Sequence, residues 1–164
     1  AMYFINPFAS VLEVGCNVGP NLLRFQQAFP QATLAGIDLS ADAIERAEKL
    51  VNADLKVGNV LDIPFREKFD VVVSDAVLLY IDPAEIEVAL LELNRLAKKA
   101  IILVERYDES LKGEVRGHVW ARDYARLLKN LNYNVAEVKI TENHWKSSKN
   151  WMEYGRLYIA ARRS

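Results

Sequence analysis

The chain has 164 residues, a formal net charge of −1 at pH 7 and one cysteine. Because 21 basic residues nearly balance 22 acidic ones, the composition argues against a protein that coats nucleic acid or binds a membrane through a basic helix. No apolar run approaches the roughly 20 residues of a membrane span, and no signal-peptide pattern is present. We therefore expect a cytoplasmic protein, monomeric or homodimeric, with one domain over residues 1–164 and a short N-terminal segment.

The first predicted element is a short buried strand that runs into a glycine-bracketed turn at residues 11–19. Gly15 and Gly19 stand where the chain must turn sharply or where a ligand must approach the backbone. Glu13, at the end of an apolar strand, needs a polar partner to offset its desolvation, and a distant Lys or Arg is one possibility. Pro20 fits the first turn of the helix that follows. A strand, a glycine-rich turn and a helix start together form a nucleotide-binding corner.

Strands and helices then alternate along the chain. The predicted strands cover residues 33–38, 54–59, 69–74, 100–105, 134–140 and 156–161. Predicted helices open at Ser40 and at Asp82-Pro83 and cover residues 119–131, whereas residues 107–117 and 141–150 are predicted loops. This alternation predicts a parallel sheet with helices on both faces. Because the last loop has no helical period, we expect an antiparallel hairpin at one edge.

Polar residues follow the predicted strands at their carboxyl ends, where ligands bind in such sheets. Asp38 lies 19 residues after Gly19, the separation expected for an acid that accepts both ribose hydroxyls. Asp38 could instead cap the next helix, although Ser40 already suits that position. The side-chain amide of Asn59 can bond to an adenine edge, and the next backbone N–H can serve the ring nitrogen.

Four segments resemble, in order and spacing, the motifs of class I S-adenosylmethionine-dependent methyltransferases. They are residues 13–19 (EVGCNVG), 36–40 (GIDLS), 58–65 (GNVLDIPF) and 69–74 with 77–81 (FDVVVS and VLLYI). The resemblance covers roughly residues 11–104. It implies a doubly wound, Rossmann-like α/β sheet of seven strands in the order 3-2-1-4-5-7-6, with the last strand antiparallel. It also implies S-adenosylmethionine as cofactor, S-adenosylhomocysteine as product and a small-molecule methyl acceptor.

The resemblance also implies the cofactor-binding residues. These are Glu13, Gly15 and Gly19 around the methionine moiety, Asp38 at the ribose, Asn59 and Val60 at the adenine, and Ser74 and Asp75 near the sulfonium and the ammonium. Cys16 and Asn17 of the same turn are also expected to bind the cofactor, and Leu39 could enclose the base together with Val60. Asn17 replaces the usual middle glycine, and because asparagine tolerates positive φ we expect the turn to survive. Cys16 is expected to fill space in the turn and not to act as a nucleophile.

A narrower resemblance concerns residues 15–19, 77–83, 116–118 and 122–125. These segments are similar to small methyltransferases associated with pseudaminic acid and other surface-sugar biosynthesis. The resemblance implies a sugar or nucleotide-sugar intermediate as the acceptor, by analogy at the level of the fold.

Methyl transfer from a sulfonium is an in-line displacement that needs positioning more than acid–base help, although an oxygen or nitrogen acceptor can require a base. Tyr80 and His118 are the main candidates, followed by Asp75, Tyr107 and His144. Tyr80 could instead pack under a loop, and His118 could be a cap or surface residue. No His, Cys, Asp or Glu cluster has metal-ligand spacing, so we predict no metal.

Two other classes of protein compete with a methyltransferase. A nicotinamide-dependent oxidoreductase is disfavoured because Gly15-x-x-x-Gly19 is not the Gly-x-Gly-x-x-Gly fingerprint. A non-catalytic relative that binds the cofactor, or only a protein partner, is the second alternative.

Overall fold

The computed structural model describes residues 5, 7–107, 113–114, 119–143 and 148–163. Two candidate bases, His118 and His144, lie outside the described residues, as do residues 116–117 of the narrower motif.

Seven strands form the main sheet. They are β1 Ser10–Val14, β2 Thr33–Asp38, β3 Asp54–Val57, β4 Phe69–Asp75, β5 Ala97–Arg106, β6 Tyr133–Lys139 and β7 Gly155–Arg162. Their order across the sheet is β3-β2-β1-β4-β5-β7-β6, the order predicted. Strands β1 to β5 are paired in parallel, and β7 runs antiparallel to both of its neighbours, β5 and β6. The predicted fold class and the antiparallel last strand are therefore confirmed.

Helices cover both faces of this sheet. They are α1 Pro20–Ala28, α2 Ala41–Glu48, α3 Ile86–Leu96, α4 Tyr124–Asn130 and α5 Lys149–Tyr154. Leu22 and Ile44, from α1 and α2, belong to one apolar cluster with Val71 of β4. Leu93 and Leu128, from α3 and α4, belong to a second cluster that includes Leu12, Val72 and Ile101 of the strands. The two clusters are the cores on opposite faces of the doubly wound sheet.

Local hydrogen bonds explain where two helices begin. Ser40 caps α2, because its side chain accepts the N–H of Ala43 at 3.2 Å. The helix predicted to open at Asp82-Pro83 begins only at Ile86, because the Asp82 side chain accepts the N–H of Ala84 at 2.8 Å and makes a turn first.

The part of the chain after β5 differs most from the prediction. Helix α4 begins at Tyr124 and not near residue 119, because Trp120–Ala121 pairs with Gly113–Glu114 in a two-stranded ribbon. That ribbon also places a strand inside the predicted loop 107–117. Helix α5, capped by the side chain of Ser148, stands where the sequence predicted only a loop before the last strand. Short, weakly periodic helices of this kind depend on tertiary packing, which the pattern cannot report.

Two side chains of α3 hold the loop between β3 and β4. Arg95 donates to the carbonyl oxygens of Phe65 at 2.9 Å and Ile63 at 3.0 Å. Glu92 accepts the N–H of Ile63 at 2.9 Å and pairs with Arg95 at 2.6 Å. The loop that follows the third strand is therefore anchored to a helix almost thirty residues away in the chain.

Arg95→Met should lower the free energy of unfolding by about 1–2 kcal/mol, because it leaves two loop carbonyls without their charged donor. Arg24→Met is the matched control, since Arg24 is exposed on α1. Urea unfolding of both variants measures the effect. Equal stability of the two variants would show that the Arg95 contacts contribute nothing.

Candidate functional site

A cleft of about 820 Å³ lies at the carboxyl ends of β1, β2 and β4. Among the predicted cofactor residues it is lined by Glu13, Gly15, Cys16, Asn17, Asp38, Leu39, Asn59, Val60 and Asp75. Tyr80 also lines it. Two predicted residues lie elsewhere: Gly19 is the N-cap of α1, and Ser74 is fully buried, with no hydrogen-bond partner for its hydroxyl among the described residues. The structure thus brings most of the predicted residues to one cleft.

The turn after β1 is hydrogen-bonded to the end of β2. The N–H groups of Gly15 and Cys16 both donate to the carbonyl of Ile37, at 2.8 and 2.9 Å. The next N–H, that of Asn17, donates to Oδ2 of Asp38 at 2.8 Å. Asn17 has a φ of 49°, as expected of asparagine in this position, and its own side chain accepts the N–H of Val18. Asp38 therefore shapes the turn as well as facing the cleft.

A neighbouring side chain leaves no room for a Cβ at Gly15. A Cβ at this position would lie 2.2 Å from Cγ2 of Val77, and its φ of 75° already favours glycine. The missing Cβ lets the loop after β4 pack directly against the turn after β1. Two walls of the cleft meet at this contact.

Asp38 has both carboxylate oxygens engaged by backbone donors. Oδ2 accepts the N–H of Asn17, and Oδ1 accepts the N–H of Ser40 at 2.9 Å. Each oxygen keeps lone-pair capacity for a further donor on the cleft side. The alternative that Asp38 caps the next helix is wrong, because Ser40 is the N-cap of α2, and Asp38 holds only the N–H of that cap residue.

At the deep end of the cleft, two carboxyl groups accept hydrogen bonds from one side-chain amide. Nδ2 of Asn21 donates to Oε1 of Glu13 at 2.9 Å and to Oδ2 of Asp75 at 3.2 Å. Oε2 of Glu13 is buried and has no partner among the described residues. Burial raises the pKa of Glu13 to about 8 and also raises the pKa of Asp75. Such a pair favours either a shared proton or a cationic ligand group.

Asn21 is a residue that sequence reasoning missed. The alternative of a distant Lys or Arg beside Glu13 is wrong for the described residues, where its side-chain hydrogen bond comes from Asn21. The available signal was a polar residue in the first turn of the helix that directly follows the glycine turn.

The other end of the cleft is formed by residues around β3. Oδ1 of Asn59 accepts the N–H of Leu61 at 3.0 Å, which leaves the Nδ2 donors of Asn59 for a ligand. Val60 is 6% exposed and Leu39 is 73% exposed, so they offer one buried and one open apolar surface. No hydrogen bond is made by the backbone N–H of Val60 within the described residues.

Sequence reasoning also missed two charged residues behind the cleft. The Glu105 carboxylate accepts the backbone N–H groups of residues 77–79, directly after Ala76. Burial raises the pKa of Glu105 to about 8, although the three N–H donors favour the ionised form and so act to lower it. Arg122 donates to the carbonyl oxygens of Leu78 and Ile81. An acid at the carboxyl end of an apolar strand was the signal for Glu105, whereas Arg122 stood in the narrower motif at residues 122–125 without an assigned role.

The remaining candidates have simpler environments. Cys16 is 1% exposed and burial raises the pKa of its thiol to about 12, as suits a space-filling side chain. Tyr107 follows the end of β5 and does not line the cleft.

Across the described residues, no group of three or more His, Cys, Asp and Glu is placed to hold a metal ion. No helix in the described part of the chain is long and apolar enough to cross a membrane.

The strand order, the antiparallel last strand and a cleft at the carboxyl ends of β1, β2 and β4 define the class I methyltransferase fold. Residues 11–100 match the family model described as a methyltransferase domain, which is more than half of the chain. The chain therefore belongs to the methyltransferase domain family.

Similar proteins carry more specific names. The chain is 32% identical over 76 residues to the malonyl-[acyl-carrier protein] O-methyltransferase of Priestia megaterium, covering 44% of this chain and 28% of that protein. It is 32% identical over 77 residues to the trans-aconitate 2-methyltransferase of Deinococcus radiodurans, covering 46% and 29%. The structure of magnesium protoporphyrin IX methyltransferase from Synechocystis PCC 6803 with bound S-adenosylmethionine superimposes with a TM-score of 0.74 at 19% identity, covering 99% and 74%. The chain spans about a third of the length of the curated relatives it matches.

Glu13 should make stability depend on pH. Between the ordinary carboxyl pKa of 4.5 and about 8, the unfolded chain has lost this proton while the folded protein keeps it, so stability falls as pH rises. Relative to wild type, Glu13→Gln should gain on the order of 2 kcal/mol of stability between about pH 5.5 and pH 8. Urea unfolding of both proteins at each pH measures this gain. A stability difference that does not change with pH would contradict the raised pKa.

Proposed function

We propose that this protein is an enzyme that transfers the methyl group of S-adenosylmethionine to a small-molecule acceptor, with S-adenosylhomocysteine as product. The observation that carries the proposal is one cleft with the carboxyl groups of Glu13 and Asp75 at one end, residues around β3 at the other, and Asp38 in its lining. Its volume falls in the range of about 300–1,000 Å³ typical of small-molecule and cofactor sites. The name of the family and the bound cofactor of the solved relative support it.

The donor set of the cleft fits this cofactor. Oε2 of Glu13, which has no partner in the part of the chain that the structure describes, suits the ammonium of the methionine moiety, with Asp75 beside it. Asp38 has acceptor capacity for two ribose hydroxyls, and the Nδ2 of Asn59 and the N–H of Val60 can donate to ring nitrogens of adenine. When bound, S-adenosylmethionine supplies an electrophilic methyl carbon for in-line displacement.

Tyr80 is the described candidate for assisting the acceptor. Its side chain is 62% exposed on the cleft rim, which argues against the alternative of packing under a loop. As a phenolate this side chain can take the proton of an acceptor hydroxyl, and as a phenol it can orient that hydroxyl through a hydrogen bond. His118 remains a second candidate from the sequence.

For the acceptor we propose a sugar or nucleotide-sugar intermediate, on the strength of the narrower sequence resemblance at residues 15–19, 77–83 and 122–125. The named relatives act on malonyl-[acyl-carrier protein] and trans-aconitate, so carboxylic acids are the competing class. An assay of S-adenosylhomocysteine release, run with a panel of sugar and nucleotide-sugar acceptors and a panel of carboxylic acids, distinguishes the two classes of acceptor. Binding of the cofactor without turnover on any acceptor would favour the non-catalytic alternative.

Calorimetric titration with S-adenosylhomocysteine, with NAD⁺ as the control ligand, tests the cofactor first. Micromolar binding of the former alone is expected. Binding of NAD⁺ alone would favour the oxidoreductase, and binding of neither would overturn the proposed function.

Asp38→Ala should weaken S-adenosylhomocysteine binding by about 1–3 kcal/mol, roughly 5- to 150-fold, because the ribose hydroxyls lose their acceptor. Asp54→Ala is the control, since Asp54 is an exposed acid on β3 that pairs with Lys56 outside the cleft. The same titration measures both variants. A dissociation constant unchanged by Asp38→Ala would refute the ribose assignment.

Tyr80→Phe should lower kcat by about 100-fold or more if Tyr80 is the base, while S-adenosylhomocysteine binding stays within a factor of about two. Steady-state kinetics with the acceptor found in the panel, together with titration, measures the split. An unchanged kcat would assign the proton transfer to another group and leave Tyr80 as a surface of the acceptor site.

A further inference from the structure

One wall of the cleft is a single helical turn, which we call the wall turn, at residues 77–81. Its central residues, Leu78–Tyr80, form a 3-10 helix three residues long. So short a helix has no internal cooperativity, and its terminal N–H and C=O groups need partners from elsewhere. Tyr80 is carried on this turn, so the position of the turn sets the position of that side chain.

Glu105 supplies the partner for the donor end of the wall turn. Its carboxylate, 0% exposed at the end of β5, accepts the N–H groups of Val77 at 3.1 Å, Leu78 at 2.8 Å and Leu79 at 3.1 Å. Three backbone donors on the two oxygens of one carboxyl group, at the start of a helical turn, form a directional cap.

Arg122 supplies the partner for the acceptor end. Its Nη1 donates to the carbonyl of Leu78 at 2.8 Å, and its Nη2 donates to the carbonyl of Ile81. Nη1 also lies 3.4 Å from the hydroxyl of Tyr124. Because Arg122 precedes α4, it joins the wall turn to the segment that follows the ribbon.

The backbone beside these contacts is held in an unfavourable conformation. Ala76, which connects β4 to the wall turn, has a φ of 56°, a left-handed value that alanine rarely adopts. On the other side, Val77 is pressed against Gly15, where no Cβ would fit. A strained residue persists only where surrounding contacts determine the conformation. Here the N–H of Ala76 donates to the carbonyl of Val104 at 2.8 Å, and Glu105 holds the N–H groups that follow.

We propose that Glu105 and Arg122 are positioning residues that hold the wall turn and thereby set the methionine and acceptor end of the cleft, apart from its nucleoside end. The inference rests on the proposed function. Neither side chain lines the cleft, so both act through the backbone of the wall turn. Val77, which packs against Gly15 of the first turn, and Tyr80 are the cleft residues that the wall turn carries.

A comparison of two ligands separates positioning from general destabilisation. S-adenosylhomocysteine reaches both ends of the cleft, whereas 5′-methylthioadenosine lacks the amino-acid part. Arg122→Gln should weaken S-adenosylhomocysteine binding about tenfold, with binding of 5′-methylthioadenosine changed by less than about twofold. Arg122→Lys should restore part of the loss, because an ammonium can still reach a carbonyl.

Arg126→Gln is the matched control, because Arg126 lies on α4 with its side chain 72% exposed and pairs with Asp123 at 4.0 Å. Glu105→Gln is the second variant, since one amide oxygen cannot accept all three N–H groups. Hydrogen exchange at the amides of Leu78 and Leu79 should be faster in both the Arg122 and the Glu105 variants.

The outcomes are distinct. If wild type binds S-adenosylhomocysteine and Arg122→Gln weakens both ligands equally, or neither, the positioning role is overturned while the proposed function stands. Unchanged exchange at Leu78 and Leu79 would also overturn it. A wild-type protein that binds neither ligand overturns the proposed function, and this inference with it.

Discussion

The arrangement of the site depends on how the turn after β1 is fastened to β2. Three consecutive N–H groups, of Gly15, Cys16 and Asn17, all donate to the last two residues of the neighbouring strand. This is possible because the parallel pairing sets Val14 opposite Ile37, so that both strands end at the same level. The cleft therefore opens where two strands end together, and a residue expected to bind ribose also holds the backbone beside it.

The acidic side chains at the two ends of the sheet have different partners and opposite pKa shifts. At the amino end of β4, Asp70 accepts the N–H of Ala9 and the ammonium of Lys99, and these contacts lower its pKa although burial opposes them. At the carboxyl end, Glu13 and Asp75 share one neutral amide, and burial raises the pKa of each. An acid satisfied by the protein serves stability, whereas acids left short of partners in a cleft indicate a binding role.

Glu13 and Glu105 show that one sequence pattern can have two physical outcomes. Both are acids near the carboxyl ends of apolar strands, and both are buried. Among the described residues, one oxygen of Glu13 has no donor at the cleft, whereas Glu105 uses both oxygens to hold backbone N–H groups behind it. Under the proposed function, the first contributes a ligand-binding group and the second a fixed wall. A methyl transfer that relies on positioning needs both kinds.

The sequence by itself determined the alternation of strands and helices, the positive-φ turn with Asn17, the Ser40 cap and, through resemblance to a family, the strand order. These features depend on residues close together in the chain, or on motifs whose order survives in it. Only the tertiary structure decided that Asn21 bridges two acids, that Gly15 is required by Val77, and that helix α5 precedes the last strand. It alone also placed Glu105 and Arg122 on the wall turn, across separations of 26 to 44 residues. Contacts of this kind form only once the sheet has brought distant segments to one edge, so no local pattern of residues records them.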